Sequence, residues 1–563
     1  MTSLLWLTLS PAHACGGFFC DQNTPVDQAG EVIVFDVDEV AEQVTMHVQV
    51  AYSGPAEDFS WVVPVAGEPD VFLSHSSLFD TLPLATGRFF QVTVDNTACG
   101  DSWSDADTDT DADTDADTDA DADTDTDGIE VLARDLVGAY DIVTLSAEDP
   151  ELLVDWLQTN DYDVPDTLDE VLAPYVAGGQ NFLAMKLRKG ATTGALSPLA
   201  LRYPGTTPVV PLTLTRVAAE PDMPLNVYLF GDHRGVPRNY LHVHLNPLAI
   251  DYWRGGANLD DAITRAADEA GGQAFATDWV SGARVMSRQV YVPAWYNIDA
   301  LRGHETALDF VNALGSAGLV LTDEVLSVLS RLLPMPEDFT GDPVRFYSAP
   351  DRYFDDWVGM PFDEETLIAA LVEAELTPRE QIQAMIDGAE TLTRLRSSVS
   401  PEEMTVDPMF GFNPDLPEFD DLRSVVQRRL CTAAEPDRFE ALQAIEYPLG
   451  IVAMVPSERE LDEADLSVFE YIQEFELPAA LIIEEVGSTG APTVVVDNRP
   501  LIEEVVGSTG NGTGTGSPTA ARSDTASPGQ AKSGGCACDA GGSSALLAGL
   551  LPMMLLGLRR RQR

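Results

Sequence analysis

Between Asp105 and Asp127 every odd-numbered residue is an aspartate, twelve in all, with only Ala or Thr between them. Carboxylates two residues apart repel, and nothing in the run offers an apolar face to bury, so no packed element can form there. The rest of the chain must fold around this segment, which reads as a disordered, solvated insertion over residues 104–128. Short β-branched runs lie on both sides of it, at Glu31-VIVFDV, Gln43-VTMHVQVAY and Phe59-SWVVPV before and at Ile129-EVLARDLVGAYDIVTL after. The insertion therefore falls within one β-containing domain. Such a loop is tolerable because closure entropy grows only slowly with length. Asp123 to Gly128 matches the first half of an EF-hand loop, but position twelve falls on Arg134, where a bidentate Glu is needed. Weak Ca²⁺ association is the most that pattern predicts, and no other cofactor is expected.

The insertion carries twelve of the charges in a net −60, with 92 acidic residues against 32 basic ones. The remaining surplus describes a broadly acidic exterior, which would repel a phosphate backbone and argues against nucleic acid as a partner. Apolar residues make up 45% of the chain, enough for a sizeable core.

Residues 15–250 read as a β-rich domain. Val44, Met46, Val48 and Val50 alternate with Thr45, His47 and Gln49, so one face is expected to be buried and the other wetter. A short helix is expected from Ser76 to Leu82 and a strand from Arg88 to Asp95. Gly138 breaks a hairpin. Helices follow over 150–158, with Asp149 as N-cap, and over 166–176. Strands are expected from Asn181, Pro198, Val209, Leu225 and Asn239. From 251 to 486 the pattern turns mainly α-helical, as a continuation or a second domain, with helical spacing over 259–269, 305–314 and 324–332. Thr377-Pro-Arg-Glu380 reads as a capping-box helix start, followed by a stripe of Ile382, Met385, Ile386, Leu392 and Leu395. The fold class expected is thus α+β. Residues 487–535 are rich in Gly, Ser and Thr and read as a flexible stalk. That stretch opens on the end of a near-duplicate, Leu481-IIEEVGSTG and Leu501-IEEVVGSTG.

The two ends address the chain to the envelope. Residues 1–14 are apolar and finish in Ala12-His13-Ala14, small residues at −1 and −3 that suit signal cleavage between Ala14 and Cys15. No basic residue precedes them, so the translation start is expected upstream of Met1. At the other end an uncharged stretch from Ala540 to Leu558 barely reaches spanning length. It follows Cys536 and Cys538 and precedes Arg559, Arg560, Arg561 and Arg563, which would remain in the cytoplasm. This tail resembles the MYXO-CTERM sorting signal of myxobacteria and relatives. The resemblance implies processing by envelope sorting machinery and retention at the cell surface through residues 536–563. Four body cysteines, Cys15, Cys20, Cys99 and Cys431, suit two disulfides in an exported protein. Closure of Cys15 with Cys20 would leave Cys99 for Cys431.

Chemistry is sparse. His242 and His244 share one face of a strand, since side chains repeat every two residues, and two such imidazoles can begin a zinc or iron site. His233 or Asp251 would supply a third ligand. The competing reading makes the pair the wet face of an amphipathic strand, with Leu241, Val243 and Leu245 behind it. No G-x-S-x-G, S-x-x-K or H-E-x-x-H motif occurs. Trp61, Trp253 and Trp279 read as half-buried core in preference to a carbohydrate platform.

Ala14-CGGFFC, Pro25-VDQAGEVIVF, Tyr52-SGPAEDFSWVVPV, Tyr140-DIVTLSAEDPELLVDWL, Val209-VPLTLTRV, Leu225-NVYLFGDHR and Ala266-ADEAGGQAFATDW together resemble the exported bacterial family called domain of unknown function twenty-three thirty. The resemblance covers about half the chain, from Cys15 to Trp279. It implies export and frequent surface retention, and it brings no reaction and no catalytic residues. The reading is a surface-anchored, non-enzymatic protein with an unknown extracellular ligand. The alternative is a surface metal-dependent hydrolase using His242 and His244.

Overall fold

The computed structural model describes residues 17–19, 31–49, 59–95, 129–187 and 197–509, apart from short gaps inside these stretches. The leader, Cys15, Cys20, Cys99, the acidic run and everything after residue 509 lie outside the described residues. That excludes Cys536, Cys538, the apolar tail and its arginines. Among the described residues no helix is long and apolar enough to cross a membrane.

The first strands are β1 (Gly17–Phe19), β2 (Glu31–Asp38), β3 (Gln43–Val48), β4 (Ser60–Val65) and β5 (Asp70–Leu73), then α1 (Ser76–Ala85) and β6 (Gln91–Asp95). Beyond the acidic run, β7 (Ile129–Val137) and β8 (Tyr140–Ala147) form the expected hairpin. It turns at Gly138, whose φ of +62° favours a residue without a Cβ. Next come α2 (Pro150–Thr159), capped by the Asp149 carboxylate, α3 (Leu168–Ala177), β9 (Asn181–Leu187) and β10 (Leu199–Pro204). They lead to α4 (Leu212–Thr215), β11 (Met223–Gly231), β12 (Arg234–Pro237), β13 (Leu241–Leu245), α5 (Leu259–Glu269) and β14 (Ala274–Gly282). The helical stretch comprises α6 (Ala307–Ala317), α7 (Asp323–Leu332), α8 (Pro343–Tyr347), α9 (Glu364–Leu371) and α10 (Thr377–Gly388). Strands then return as β15 (Thr391–Val399), β16 (Phe410–Asn413), β17 (Ser424–Leu430), β18 (Leu442–Glu446) and β19 (Val452–Val455). The described chain closes with α11 (Glu458–Ala464), α12 (Val468–Gln473), β20 (Ala480–Glu485), β21 (Thr493–Asp497) and α13 (Arg499–Thr509).

A ten-stranded sheet in the order β21-β20-β13-β14-β15-β11-β2-β3-β10-β5 organises the molecule. Its central face packs on a five-stranded sheet, β1-β4-β9-β8-β7, through a core of Phe35, Met46, Trp61, Tyr140, Leu201, Leu229, Phe275 and Phe410. The far side of the smaller sheet is covered by α2 and α3, through Leu153, Trp156, Leu157 and Leu172. On the opposite face of the large sheet, Val34, Tyr228 and Phe230 meet α1 and α10. Val243, Leu245 and Ala276 meet α5 and the four-stranded sheet β19-β18-β17-β6. Helices α6 to α9 bury a core of their own around Phe310, Leu329 and Phe346. The α+β class stands, with helices concentrated after the first strands.

Several local expectations differ. Thr45 and His47 on β3, placed on a wetter face, are buried because the large sheet is covered on both sides. The Val209 run is not a strand. Pro211 cannot donate to a ladder, and the chain makes the single turn α4, where Asp407 accepts the Thr213 N–H at 2.8 Å and Glu31 accepts from the Thr215 hydroxyl at 3.0 Å. Thr377 caps nothing either: it has helical φ/ψ, and α9 passes into α10 through a π turn, Val372–Leu376. That wider turn accommodates Pro378, which supplies no N–H and whose ring would otherwise crowd the Ala374 carbonyl. Of the apolar stripe, Ile382, Met385 and Ile386 belong to α10, whereas Leu392 and Leu395 belong to β15.

Two larger divisions shift as well. Residues 487–509 of the expected 487–535 stalk carry packed structure: β21 pairs with β20, and α13 buries Ile502 and Val506 in the core beside β19. Residue 250 is not a division in space. β13 lies between β14 and β20, and β15 lies between β14 and β11, so strands from both sides of that residue alternate in one sheet.

Candidate functional site

β13 holds His242 and His244 on one face, as period-two geometry requires. The parallel pairing of β13 with β14 sets His242 level with Phe275, so this face continues the main core. On the other side of β13 the antiparallel register sets His242 directly opposite Glu484 of β20. The Glu484 Oε1 atom accepts an N–H from His242 Nδ1 at 2.9 Å and from His244 Nε2 at 2.8 Å. The imidazole rings stand nearly perpendicular, with centroids 4.9 Å apart. The second nitrogen of His242, Nε2, lies 2.8 Å from the Thr277 hydroxyl on β14. Because Nδ1 donates to the carboxylate, Nε2 accepts from Thr277.

His242 and Glu484 are buried, whereas the His244 side chain is 39% exposed. Burial pushes the His242 imidazole down to about 4, although Glu484 pulls the other way, so the ring is neutral near pH 7. For Glu484, burial favours the acid form, but the bonds from the two histidines prevail and hold it at about 2.

The structure brings together two of the residues expected from the sequence and substitutes the third. Donor atoms of His242, His244 and Glu484 lie within 4.8 Å of one another. His233 is exposed in the turn between β11 and β12 and is not in that group. Asp251 is buried and caps the next turn, accepting the Arg254 N–H at 3.1 Å. His242 itself is not on a wet face. Glu484 escaped sequence reasoning because its run leads into the Gly/Ser/Thr-rich stretch. The usable signal was Leu481-Ile-Ile483 just before it, a strand pattern that places Ile482 and Glu484 on one face.

Other polar clusters act as pins. Asp278 receives both arms of Arg394 at 2.7 Å, tying β14 to β15, and Arg394 also donates to Thr86 beyond α1. His47 Nδ1 meets the Ser74 hydroxyl at 2.8 Å, with both groups buried. On the π turn, Glu375 pairs with Arg379 at 2.8 Å. Trp61 is core; Trp253 donates to Gln427 at 3.2 Å, and Trp279 lies under the Arg423 guanidinium. An open groove of about 700 Å³ runs between α5, β15 and α12, lined by Asp260, Arg265, Arg396, Ser398, Phe469 and Gln473.

The fold and site define an α+β protein built on one long mixed sheet, with a two-histidine, one-carboxylate cluster near its β20 end. The chain belongs to the family DUF2330, an uncharacterized protein conserved in bacteria, whose model matches residues 10–291. The sequence resemblance over Cys15 to Trp279 is thereby borne out. No curated protein and no solved structure matches the chain.

Proposed function

We propose that this protein is exported, held at the cell surface by its C-terminal tail, and works by binding an extracellular ligand. Export is supported by the apolar leader ending at Ala14, by the Cys536–Arg563 tail and by Cys431, which is disulfide-bonded. Disulfides persist in oxidising compartments. β6 and β17 run parallel with Asp95 level with Arg428, so both strands head toward their following cysteines along one direction. We pair Cys99 with Cys431 on that ground, which leaves Cys15 to Cys20.

One observation carries the binding reading: the charged side chains of the candidate site and of the Asp278–Arg394 pair are engaged with one another. A general base needs a free lone pair aimed at substrate, and His242 uses both ring nitrogens internally. The wide groove beside α5, with carboxylates, two guanidinium groups and Phe469, suits a polar partner that offers both charges and a flat apolar group. The donor set of His242, His244 and Glu484 favours the second reading, a surface metal-dependent hydrolase.

The test is external proteolysis of intact cells that produce the full chain, with thiol labelling of the recovered protein. Digestion from outside, with all four body cysteines refractory to labelling, is the expected result. A protease-protected chain with Cys431 as a free thiol would overturn the proposal. Hydrolytic activity lost in His244→Ala would decide for the second reading.

A further inference from the structure

We infer that His242, His244 and Glu484 form a binding site for one divalent transition-metal ion, with Zn²⁺ the best chemical match. Two imidazoles on alternate residues of one strand, with perpendicular rings, converge on the single atom Oε1. That convergence puts two nitrogens and a carboxylate around one focal point. Zn²⁺ binds His nitrogen at about 2.0–2.1 Å and carboxylate oxygen at about 2.0–2.2 Å, which spaces neighbouring ligand atoms by about 3.3 Å in a tetrahedron. The two nitrogens lie 2.9 and 2.8 Å from Glu484 Oε1, and all three donor atoms lie within 4.8 Å of one another, so rotamer adjustment of these side chains can bring them around one ion.

The supporting groups fit the same role. Adjacent strands in fixed register carry the donors, so the site is assembled by the sheet and not by mobile loops. Thr277 stands at the far nitrogen of His242, and its hydroxyl can accept an N–H as readily as it donates. When Nδ1 takes a metal, Nε2 carries the proton and Thr277 receives it, which is how ligating histidines are usually oriented. The fourth position falls on the half-exposed His244 side, where water or a partner's donor group can enter. Two nitrogens select against Ca²⁺ and Mg²⁺, which prefer oxygen donors.

The experiment uses purified full-length protein, stripped with chelator and titrated with Co²⁺ as a spectroscopic probe, then with Zn²⁺. One Co²⁺ per chain should give the visible absorption of four-coordinate cobalt, and one Zn²⁺ should displace it. Excess Ca²⁺ should leave the spectrum unchanged. His244→Ala and Glu484→Gln should each weaken binding by about 100-fold, and Thr277→Val by about tenfold. His244 is half-exposed, so its replacement leaves the sheet folded, and circular dichroism of the metal-free variants checks this. Absence of the cobalt spectrum, or a spectrum that survives both His244→Ala and Glu484→Gln, would overturn the site. Loss on His233→Ala with retention in Glu484→Gln would also overturn the ligand set.

Discussion

His242 couples folding to acidity. Its ring is held at about 4 in the folded chain against an ordinary 6.5, so between those values the unfolded chain carries the extra proton. Stability therefore rises with pH across that window: the contribution is complete above about 6.5 and is lost as pH falls toward 4. Glu484, held at about 2 against 4.5, adds stability that is present above 4.5 and lost below it. Burial lowers His47 and His75 in the same direction as His242. We expect the metal-free protein to lose on the order of 2 kcal/mol through His242 alone between pH 7 and 4.5. Urea unfolding at several pH values should show that slope reduced in His242→Asn. An unchanged slope would mean that the ring takes up its proton at the same pH in the folded and the unfolded chain.

At the scale of elements, the most informative pair is the near-duplicate. Leu481-IIEEVGSTG and Leu501-IEEVVGSTG share eight of ten residues, yet the first forms β20 and the second lies in α13. Local propensity cannot separate them. Neighbours decide: Ile482 and Ile483 are paired into the sheet between β13 and β21, while Ile502 and Val506, four apart, bury one helical face in the adjoining core. Reading this stretch as stalk failed for that reason, because Gly, Ser and Thr after each copy resemble a linker while the apolar residues before them do not. Ile502 is fully buried, so Ile502→Ala should cost about 3 kcal/mol in denaturant unfolding. A true stalk residue would cost nothing. The same contest explains α4, where Pro211 and the Asp407 carboxylate overrule a β-branched run.

For the whole molecule, the central fact is that β15 sits between β11 and β14. The matched family region ends at residue 291, so the strand that joins its two groups of strands in the large sheet comes from beyond it. Glu484 is supplied from still further along. A fragment covering residues 10–291 should therefore lack the cooperative unfolding transition of the full chain and bind a hydrophobic dye, since Phe275, Leu229 and their neighbours would lose the strand between them. A sharp, native-like melt of that fragment would show that β15 is dispensable. Replacing residues 105–127 with a Gly/Ser segment of equal length should do the opposite. It removes twelve charges and should leave the thermal midpoint within a few degrees, because a run of Asp, Ala and Thr offers no apolar face to bury.

Sequence by itself determined what depends on local pattern and composition. It placed most strands and helices up to Glu269, the hairpin at Gly138, the Asp149 cap and the family to which the chain belongs. It also brought out His242 and His244, because a period of two puts alternate residues on one face. Tertiary structure decided what depends on distant register. The order of the large sheet, the burial of His242 and the choice of Glu484 over His233 or Asp251 all follow from pairings across some 240 residues. Such pairings are fixed by which strand edges remain open after the rest have closed, and no local window of the chain contains that information.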